Sequence, residues 1–400
     1  MRILFLSHLI PWPAPLMGGQ LRVARLVQAL ARYCDVTLVC SGSPYESPAK
    51  KHWFDDSALE SMSTVPLEDQ ESSSDPLWGD GRTMLRALLP TSVPSLINAR
   101  VSKSLANHLA QIPGTFSAIW ASRSWTAEAA RLARKEKVLV DIDDFESILL
   151  GQDMTRLGRY RRRLLHHLQV RRLAEYEASL PARFAGVAIT KAEDFDLLDA
   201  RHRGRSFLVP NGVDLPTVVR RAPIAGRLLF VGSFAHPPNL EGMLWFCNEV
   251  LPIIRRFRED VTIDIVGKGP APREWDRVRA NPGVTFIESP MELTEYYSRA
   301  TAVLAPIRIG HGTKLKTLEA LAYRIPLVAT AEAAAGLSLT PNKHYLLADA
   351  PEQFAAQCLM ALDERADHSE MVRQASTIAE DFSWTQCGQR AMSALQQVAA

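Results

Sequence analysis

Ala305-Pro306-Ile307-Arg308-Ile309-Gly310-His311-Gly312-Thr313-Lys314-Leu315-Lys316-Thr317-Leu318-Glu319-Ala320-Leu321-Ala322 reads as the end of a buried strand, a glycine-rich turn and the basic start of a helix. The strand is the short apolar run Ala302-Val303-Leu304-Ala305, of a length suited to a buried parallel sheet. Gly310 and Gly312 carry no Cβ, so an anion can approach the backbone there. Just beyond, the unpaired amides and the dipole of a helix N-terminus favour negative charge. Lys316 and Glu319 stand three residues apart and share one helix face. Leu315, Leu318 and Ala322 cover another face, which packs on the sheet. The arrangement suits a nucleoside diphosphate, with Lys316 on phosphate and Glu319 on ribose hydroxyls. Spacing alone describes equally well an ordinary strand–helix loop with a surface Lys–Glu pair.

The same strand–helix alternation extends outward from this unit. Leu228–Val231, Thr262–Val266, Val284–Ile287 and Pro326–Ala329 each read as a strand, with helical segments between them. The N-terminal half opens with the apolar run Ile3–Leu6, followed by a loop holding Pro11, Pro13, Pro15 and the pair Gly18-Gly19. Val23, Leu26, Val27 and Leu30 then fall at helical spacing, and Val36–Cys40 is the next strand. Residues 42–95 are rich in Ser, Pro and Asp and read mostly as loop. Ala118–Trp120 and Val138–Asp143 are further strands, and a long helical stretch covers roughly 155–180. Such alternation predicts doubly wound parallel sheets, and 400 residues are long for a single core. The turn-rich Val209-Pro210-Asn211-Gly212-Val213-Asp214 marks the break between two series. The expected organisation is a Rossmann-like domain over 1–205, a second over 206–380, and a helix over 381–400 that crosses back to the first domain.

Composition narrows the class. Hydrophobic content of 47% and charged content of 22% are those of a globular chain, and a net charge of +2 gives no global field for nucleic acid. Cys34, Cys40, Cys247, Cys358 and Cys387 are odd in number and scattered, which argues against a disulfide framework or zinc site and for a reducing compartment. The opening apolar run is too short for a signal-peptide core, and no stretch approaches the roughly 18–20 apolar residues of a membrane span. A cytoplasmic protein that does not cross a membrane is expected.

The segment Gly310–Ala320 resembles the donor-binding motif of family 4 glycosyltransferases, in the group that reads G-x-G-T-[RK]-x-K-x-x-E-A. Other pieces resemble the family in the same order. These are Val209–Asp214 for its interdomain P-N-G-V-D, Phe230-Val231-Gly232-Ser233 for the opening of its C-terminal domain, and Ile265–Pro270 for its V-G-x-G-P turn. Ala334-Ala335-Gly336-Leu337 matches its A-x-G-L loop. The resemblance is good over about 205–385 and loose before it. It implies a GT-B fold, two Rossmann-like domains facing a cleft, and transfer of a sugar from a nucleotide-sugar donor with retention. Under it Glu319 holds the ribose, Lys314, Lys316 and the amides near Gly310, Gly312 and Thr313 hold the diphosphate, and Gly18 and Gly19 form the N-domain loop facing the donor phosphate. The acceptor implied is a glycan or lipid-linked glycan of surface polysaccharide synthesis. A nucleotide-sugar 2-epimerase and a catalytically silent subunit share the fold.

The departures from the family pattern fall at charged positions. His311 occupies the place, eight residues before Glu319, where the family often has its first Glu; it can hydrogen-bond a sugar or phosphate but is not a carboxylate. The loop Ser233-Phe234-Ala235-His236-Pro237-Pro238-Asn239 lacks the Arg and Lys that many relatives place on the diphosphate, leaving Lys314, Lys316, Lys268 and the helix dipole to compensate its charge. Asp141-Ile142-Asp143-Asp144 contains a D-x-D at a strand end, where open sheets place ligands. Because the Lys and amide site already serves a diphosphate, no metal and no cofactor are expected. Asp143 stands where many relatives have a His near the transferred sugar, so Asp143 and His311 are the candidate catalytic residues. A helix cap is the structural alternative for Asp143, and a hydrogen-bonding role that for His8 after the first strand. Finally, Arg156, Arg159, Arg161, Arg162, Arg163, Arg171 and Arg172 crowd a segment whose Leu157, Tyr160, Leu164 and Leu168 recur at helical spacing. Through Arg159, Arg162 and Arg163 such a helix can lie on anionic lipid, or it can be an ordinary solvated face.

Overall fold

The computed structural model describes residues 1–11, 18–41, 57–65, 103–130, 132, 137–152, 160–217, 220–234, 236–267, 273–288, 290, 292–309 and 314–400. They form two compact units, one of Met1–Pro210 with Cys387–Ala400 and the other of Asn211–Gln386. The break thus falls inside the turn-rich segment singled out in the sequence, five residues beyond the expected 205.

The first unit holds strands β1 (Arg2–Ser7), β2 (Asp35–Ser41), β3 (Ser61–Val65), β4 (Ala118–Ser122), β5 (Val138–Ile142), β6 (Gly186–Ile189) and β7 (Ser206–Leu208). Their order in the sheet is β3-β2-β1-β4-β5-β6-β7, and all neighbours run parallel. The chain therefore grows outward from β1 in one direction and then, from β4, in the other, the doubly wound pattern. Ile3, Leu4, Phe5 and Leu6 are at most 3% exposed, which is why the central strand reads as an uninterrupted apolar run rather than an alternation. β3 corrects the loop expectation for 42–95: Ser-Met-Ser-Thr-Val is a half-exposed edge strand with no apolar run to betray it. Helices α1 (Gly18–Leu30), α2 (Glu146–Gln152) and α3 (Tyr160–Ala178) belong to this unit. The carboxylate of Glu177, on α3, accepts from the amides of Glu146 (2.7 Å) and Ser147 (3.2 Å), and so caps the start of α2 from another helix.

One ion pair sits inside this unit. Arg22 of α1 is 2% exposed, and its Nε and Nη2 donate to the two carboxylate oxygens of Asp141 on β5 at 2.9 and 2.6 Å. The same guanidinium donates to the carbonyls of Val209 (2.9 Å) and Pro210 (3.2 Å). Both carboxylate oxygens and the fork of donors are thus satisfied, the condition under which a buried charge is tolerated.

In the second unit, β8 (Arg227–Val231), β9 (Thr262–Gly267), β10 (Val284–Glu288), β11 (Ala302–Ala305), β12 (Leu327–Ala329) and β13 (Leu346–Leu347) form a parallel sheet of order β10-β9-β8-β11-β12-β13. The winding reverses between β8 and β11. Helices α4 (Pro237–Trp245), α5 (Thr294–Arg299), α6 (Leu315–Ala322) and α7 (Ala331–Ala334) lie in this unit. Phe230, Phe246 and Phe354 are fully buried, and Trp245 meets Phe354 edge-on at 5.3 Å between centroids. A final helix, α8 (Trp384–Ala399), begins in the second unit and from Cys387 onward belongs to the first. There a Cβ on Gly388 would lie 2.5 Å from that of Ala29, so the helix packs tightly on α1 with Ala391, Ala394 and Leu395 buried.

Candidate functional site

The candidate site lies in the second unit, at the carboxyl ends of β8 and β11, where the direction of winding changes. Open α/β sheets bind ligands at this place. The strand ends meet closely: a Cβ on Gly267, the last residue of β9, would lie 1.9 Å from the carbonyl oxygen of Gly232, which follows β8. On the other side Gly242 of α4 leaves no more than 2.2 Å between a notional Cβ and the Pro306 carbonyl oxygen, just after β11. Glycine at these two positions lets the end of β9 meet the loop after β8, and α4 meet the backbone just after β11.

Helix α6 starts directly after the loop that leaves β11. Thr317 and Leu318 amides return to the Lys314 carbonyl, at 3.0 and 3.1 Å, and among the described residues the amides of Leu315 and Lys316 have no backbone acceptor, as expected of a helix start. Lys316 is half-buried, and its Nζ donates to Asn239 Oδ1 of α4 at 3.0 Å. Among the described residues this neutral amide is its only hydrogen-bond acceptor, and no carboxylate lies within ion-pair distance of it. The Phe230 ring lies under it, 5.7 Å from Nζ to the centroid. Burial, and then the charge of Lys314, draw its pKa down to about 8. Asn239 is itself fixed, because its Nδ2 donates to the Ser233 carbonyl at 2.9 Å.

Glu319 shares the face of α6 with Lys316 and is also half-buried. Tyr297 of α5 donates its hydroxyl to Glu319 Oε2 at 2.6 Å, while its ring is buried and stacks on Tyr323 at 4.2 Å between centroids. The carboxyl is raised in pKa by burial, against the lowering effect of the Tyr297 hydrogen bond and Lys316. Its position is thus set by a phenol that the sequence did not mark. Lys314 differs from Lys316 in having a counter-ion: its Nζ is 2.7 Å from Glu332 Oε1 on α7. That helix is held by its own cap, Thr330 Oγ1 accepting from the Ala333 amide at 3.1 Å, and is tied to α6 by Thr317 Oγ1 on the Ala333 carbonyl at 2.7 Å.

Lys314, Lys316 and Glu319 all lie at the α6 start, where Asn239, Tyr297 and Glu332 contact them. Gly310, His311, Gly312 and Thr313 lie outside the described residues, as does Lys268. In the first unit Gly18 and Gly19 are not a loop: they form the first turn of α1, where a Cβ on Gly19 would meet Leu9 Cδ1 at 3.0 Å. Asp141 carries Arg22 on both oxygens, so the D-x-D serves the core through its first aspartate. β5 ends at Ile142, one residue short of the expected Asp143, and Asp143 is half-buried in the bend that follows. Its carbonyl accepts from Thr190 Oγ1 at 2.8 Å. The neighbouring Asp144, 3.4 Å from Lys191 Nζ, is pushed up to about 6 by burial and by the charge of Asp143. His8 packs edge-on against Trp125, 4.6 Å between centroids. Arg159 is outside the described residues, and Arg162 and Arg163 lie on α3. No described helix is long and apolar enough to cross a membrane.

Residues 225–364, which contain this site, match the family model for group 1 glycosyltransferases (Glyco_trans_1_4, "Glycosyl transferases group 1"). An uncharacterized 44.6 kDa protein in the cps region of Klebsiella pneumoniae is 27% identical over 136 residues, which span 32% of this chain and 35% of that protein. Among solved structures, sucrose-phosphate synthase from Thermosynechococcus elongatus superimposes with a TM-score of 0.67 at 15% identity, covering 99% of this chain and 98% of that one. The Anabaena protein HepE in complex with UDP-glucose gives 0.60 at 12% identity, over 99% of each chain. The two parallel-sheet units and these neighbours define a GT-B fold, and the match to the group 1 glycosyltransferase model falls in its second half.

Proposed function

We propose that this chain is a nucleotide-sugar-dependent glycosyltransferase whose donor binds at the start of α6. The observation that carries the reading is Lys316, a half-buried cation at a helix start whose described hydrogen-bond partner is a neutral amide. A half-buried ammonium with no carboxylate at ion-pair distance among the described residues, only Glu319 acting on it from farther off, is costly unless an anion completes it. A diphosphate does so, reaching the Leu315 and Lys316 amides, while Glu319, set by Tyr297, takes the ribose hydroxyls. The UDP-glucose bound to HepE supports a donor of this class, and the cps-region relative supports a role in surface polysaccharide synthesis. In this reading a hexose passes with retention to a hydroxyl of a glycan or lipid-linked acceptor, Asp143 holding that hydroxyl or taking its proton and His311 contacting the sugar or phosphate. Lys316 and the helix start stabilise the departing diphosphate, so neither metal nor cofactor is required.

A thermal-shift screen with UDP-, GDP-, ADP- and TDP-sugars tests the donor site, since a ligand bound by the folded chain alone raises its melting temperature. One of the four is expected to do so, and turnover with a glycan acceptor is expected to survive excess EDTA. Loss of turnover in EDTA with recovery in Mn²⁺ would overturn metal independence. Isomerisation of a UDP-sugar without acceptor would establish the epimerase instead, and binding without any turnover the silent subunit.

The same reading places the protein on the inner face of a membrane through the basic helix α3. Leu149 of α2 and Leu168 of α3 are 41% and 39% exposed on two packed helices, beside the arginine-rich stretch. Each Arg near an anionic surface contributes about 1 kcal/mol, and salt screens it. Phosphatidylglycerol vesicles are expected to sediment the wild type at low salt but not an Arg159→Glu/Arg162→Glu/Arg163→Glu variant; equal sedimentation of the two removes this helix as the contact.

A further inference from the structure

His236 ends the loop after β8 and occupies the cap position of α4, with an extended backbone (φ −89°, ψ 113°) and no side-chain hydrogen bond to its own helix. The residue is exposed overall, yet burial still weighs on its imidazole. The next two residues, Pro237 and Pro238, have no N–H, and the first amide of the helix, that of Asn239, is already bonded to the His236 carbonyl at 3.0 Å. The positive end of α4 thus presents a dipole without free amides, and a side chain must make any contact to an anion there. His236, at the cap of α4, precedes by three residues the asparagine that holds Lys316, so the two positions are neighbours one helical turn apart. Two cations from α6 act on the imidazole, Lys316 and Lys314, the second paired with Glu332 of α7.

We propose that His236 is a third ligand of the donor's diphosphate and takes up a proton as the diphosphate binds. The assignment rests on the donor-site reading above and fills the place left by the Arg and Lys that the loop after β8 lacks. In the free protein, partial burial, then Lys316 and then Lys314 hold the imidazole below its usual value. A bound diphosphate brings negative charge to the same cations and reverses the balance. Between the free and bound values, binding must then draw a proton from solution. Lys316, at about 8, is already charged below neutrality, and the uptake that His236→Gln removes, as distinct from any at His311 or Glu319 of the same site, is the part that belongs to this imidazole. The diphosphate diester of UDP-glucose has no proton that titrates there.

The test is calorimetric titration of the full chain with UDP-glucose, at a pH of about 6.5, the ordinary histidine value, in two non-phosphate buffers of different ionisation enthalpy. Wild type is expected to take up a fraction of a proton per ligand bound. His236→Gln should lose that uptake and bind roughly tenfold more weakly, the loss of one charge-assisted hydrogen bond. His236→Lys should keep the affinity without the uptake. Equal uptake or equal affinity in wild type and His236→Gln overturns the assignment while the donor site stands. If wild type binds none of the four nucleotide sugars, the donor site itself falls and His236 with it. Because His236 is exposed and outside the core, unchanged melting temperatures should separate these outcomes from misfolding.

Discussion

Lys316→Met is expected to weaken nucleotide-sugar binding about 10- to 150-fold while leaving the melting temperature of the free protein unchanged or raised. Removing a hydrogen bond to a charged partner costs about 1.5–3 kcal/mol, which is the source of that range. The free protein should not suffer, because the described partners of this ammonium are one neutral amide and a ring face, and methionine fills the same space over Phe230. A second signature is the dependence on pH. With its pKa near 8, Lys316 is charged at neutrality and loses its proton as the solution becomes alkaline. Affinity for the donor should therefore be full below that value and fall as pH rises through it, and Lys316→Arg should hold its affinity further into the alkaline range. Titration calorimetry across pH reads both effects. Equal affinity of wild type and Lys316→Met would remove α6 from the donor site.

The largest effect on stability is expected at Arg22. Replacing it with methionine leaves the Asp141 carboxylate enclosed without a counter-ion and strips the carbonyls of Val209 and Pro210 of their donors. Breaking one side of a buried pair costs about 3–5 kcal/mol. For a unit of this size each kcal/mol lowers the melting temperature by roughly 2–4 °C, so a loss of about 6–20 °C should appear in a scan. The loss should shrink in mild acid. The stranded carboxyl takes a raised pKa in the folded variant, so protonation favours folding at low pH and that benefit disappears as pH rises. The double variant Arg22→Met/Asp141→Leu should recover most of the stability, since an apolar pair of similar volume often replaces a buried ion pair without cost. A drop under about 2 °C in the single variant would show that the pair is not holding this unit together.

The two substitutions also show where the sequence ran out. Interior strands were legible because both faces are buried, which turns β1, β8 and β11 into near-continuous apolar runs and leaves β5 broken only by Asp141. Edge strands such as β3 lack that signature and escaped notice. The Lys316–Glu319 face could be seen because it is local, within one turn of one helix. What orients it is not local: Asn239 lies 77 residues before Lys316, and Tyr297 lies 22 before Glu319. Charge state was likewise hidden. Lys314 and Lys316 look equivalent in the chain, yet Glu332 neutralises only the first. Asp141 and Asp143 read as one D-x-D, but Arg22, 119 residues upstream, takes Asp141 for the core and leaves Asp143 at the strand end.

The return of residues 387–400 to the first unit has a consequence for how the chain is made. Asn211–Gln386 is, in topological terms, an insertion within the first unit. A ribosome therefore releases the whole insert before the segment that carries Gly388, Ala391 and Leu395 into contact with the first unit's core. Domains usually complete themselves in N-to-C order during synthesis. Here the order is inverted: the second unit has all its residues first, and the first waits, with the face of α1 around Ala29 uncovered, until the residues from 387 onward have been made.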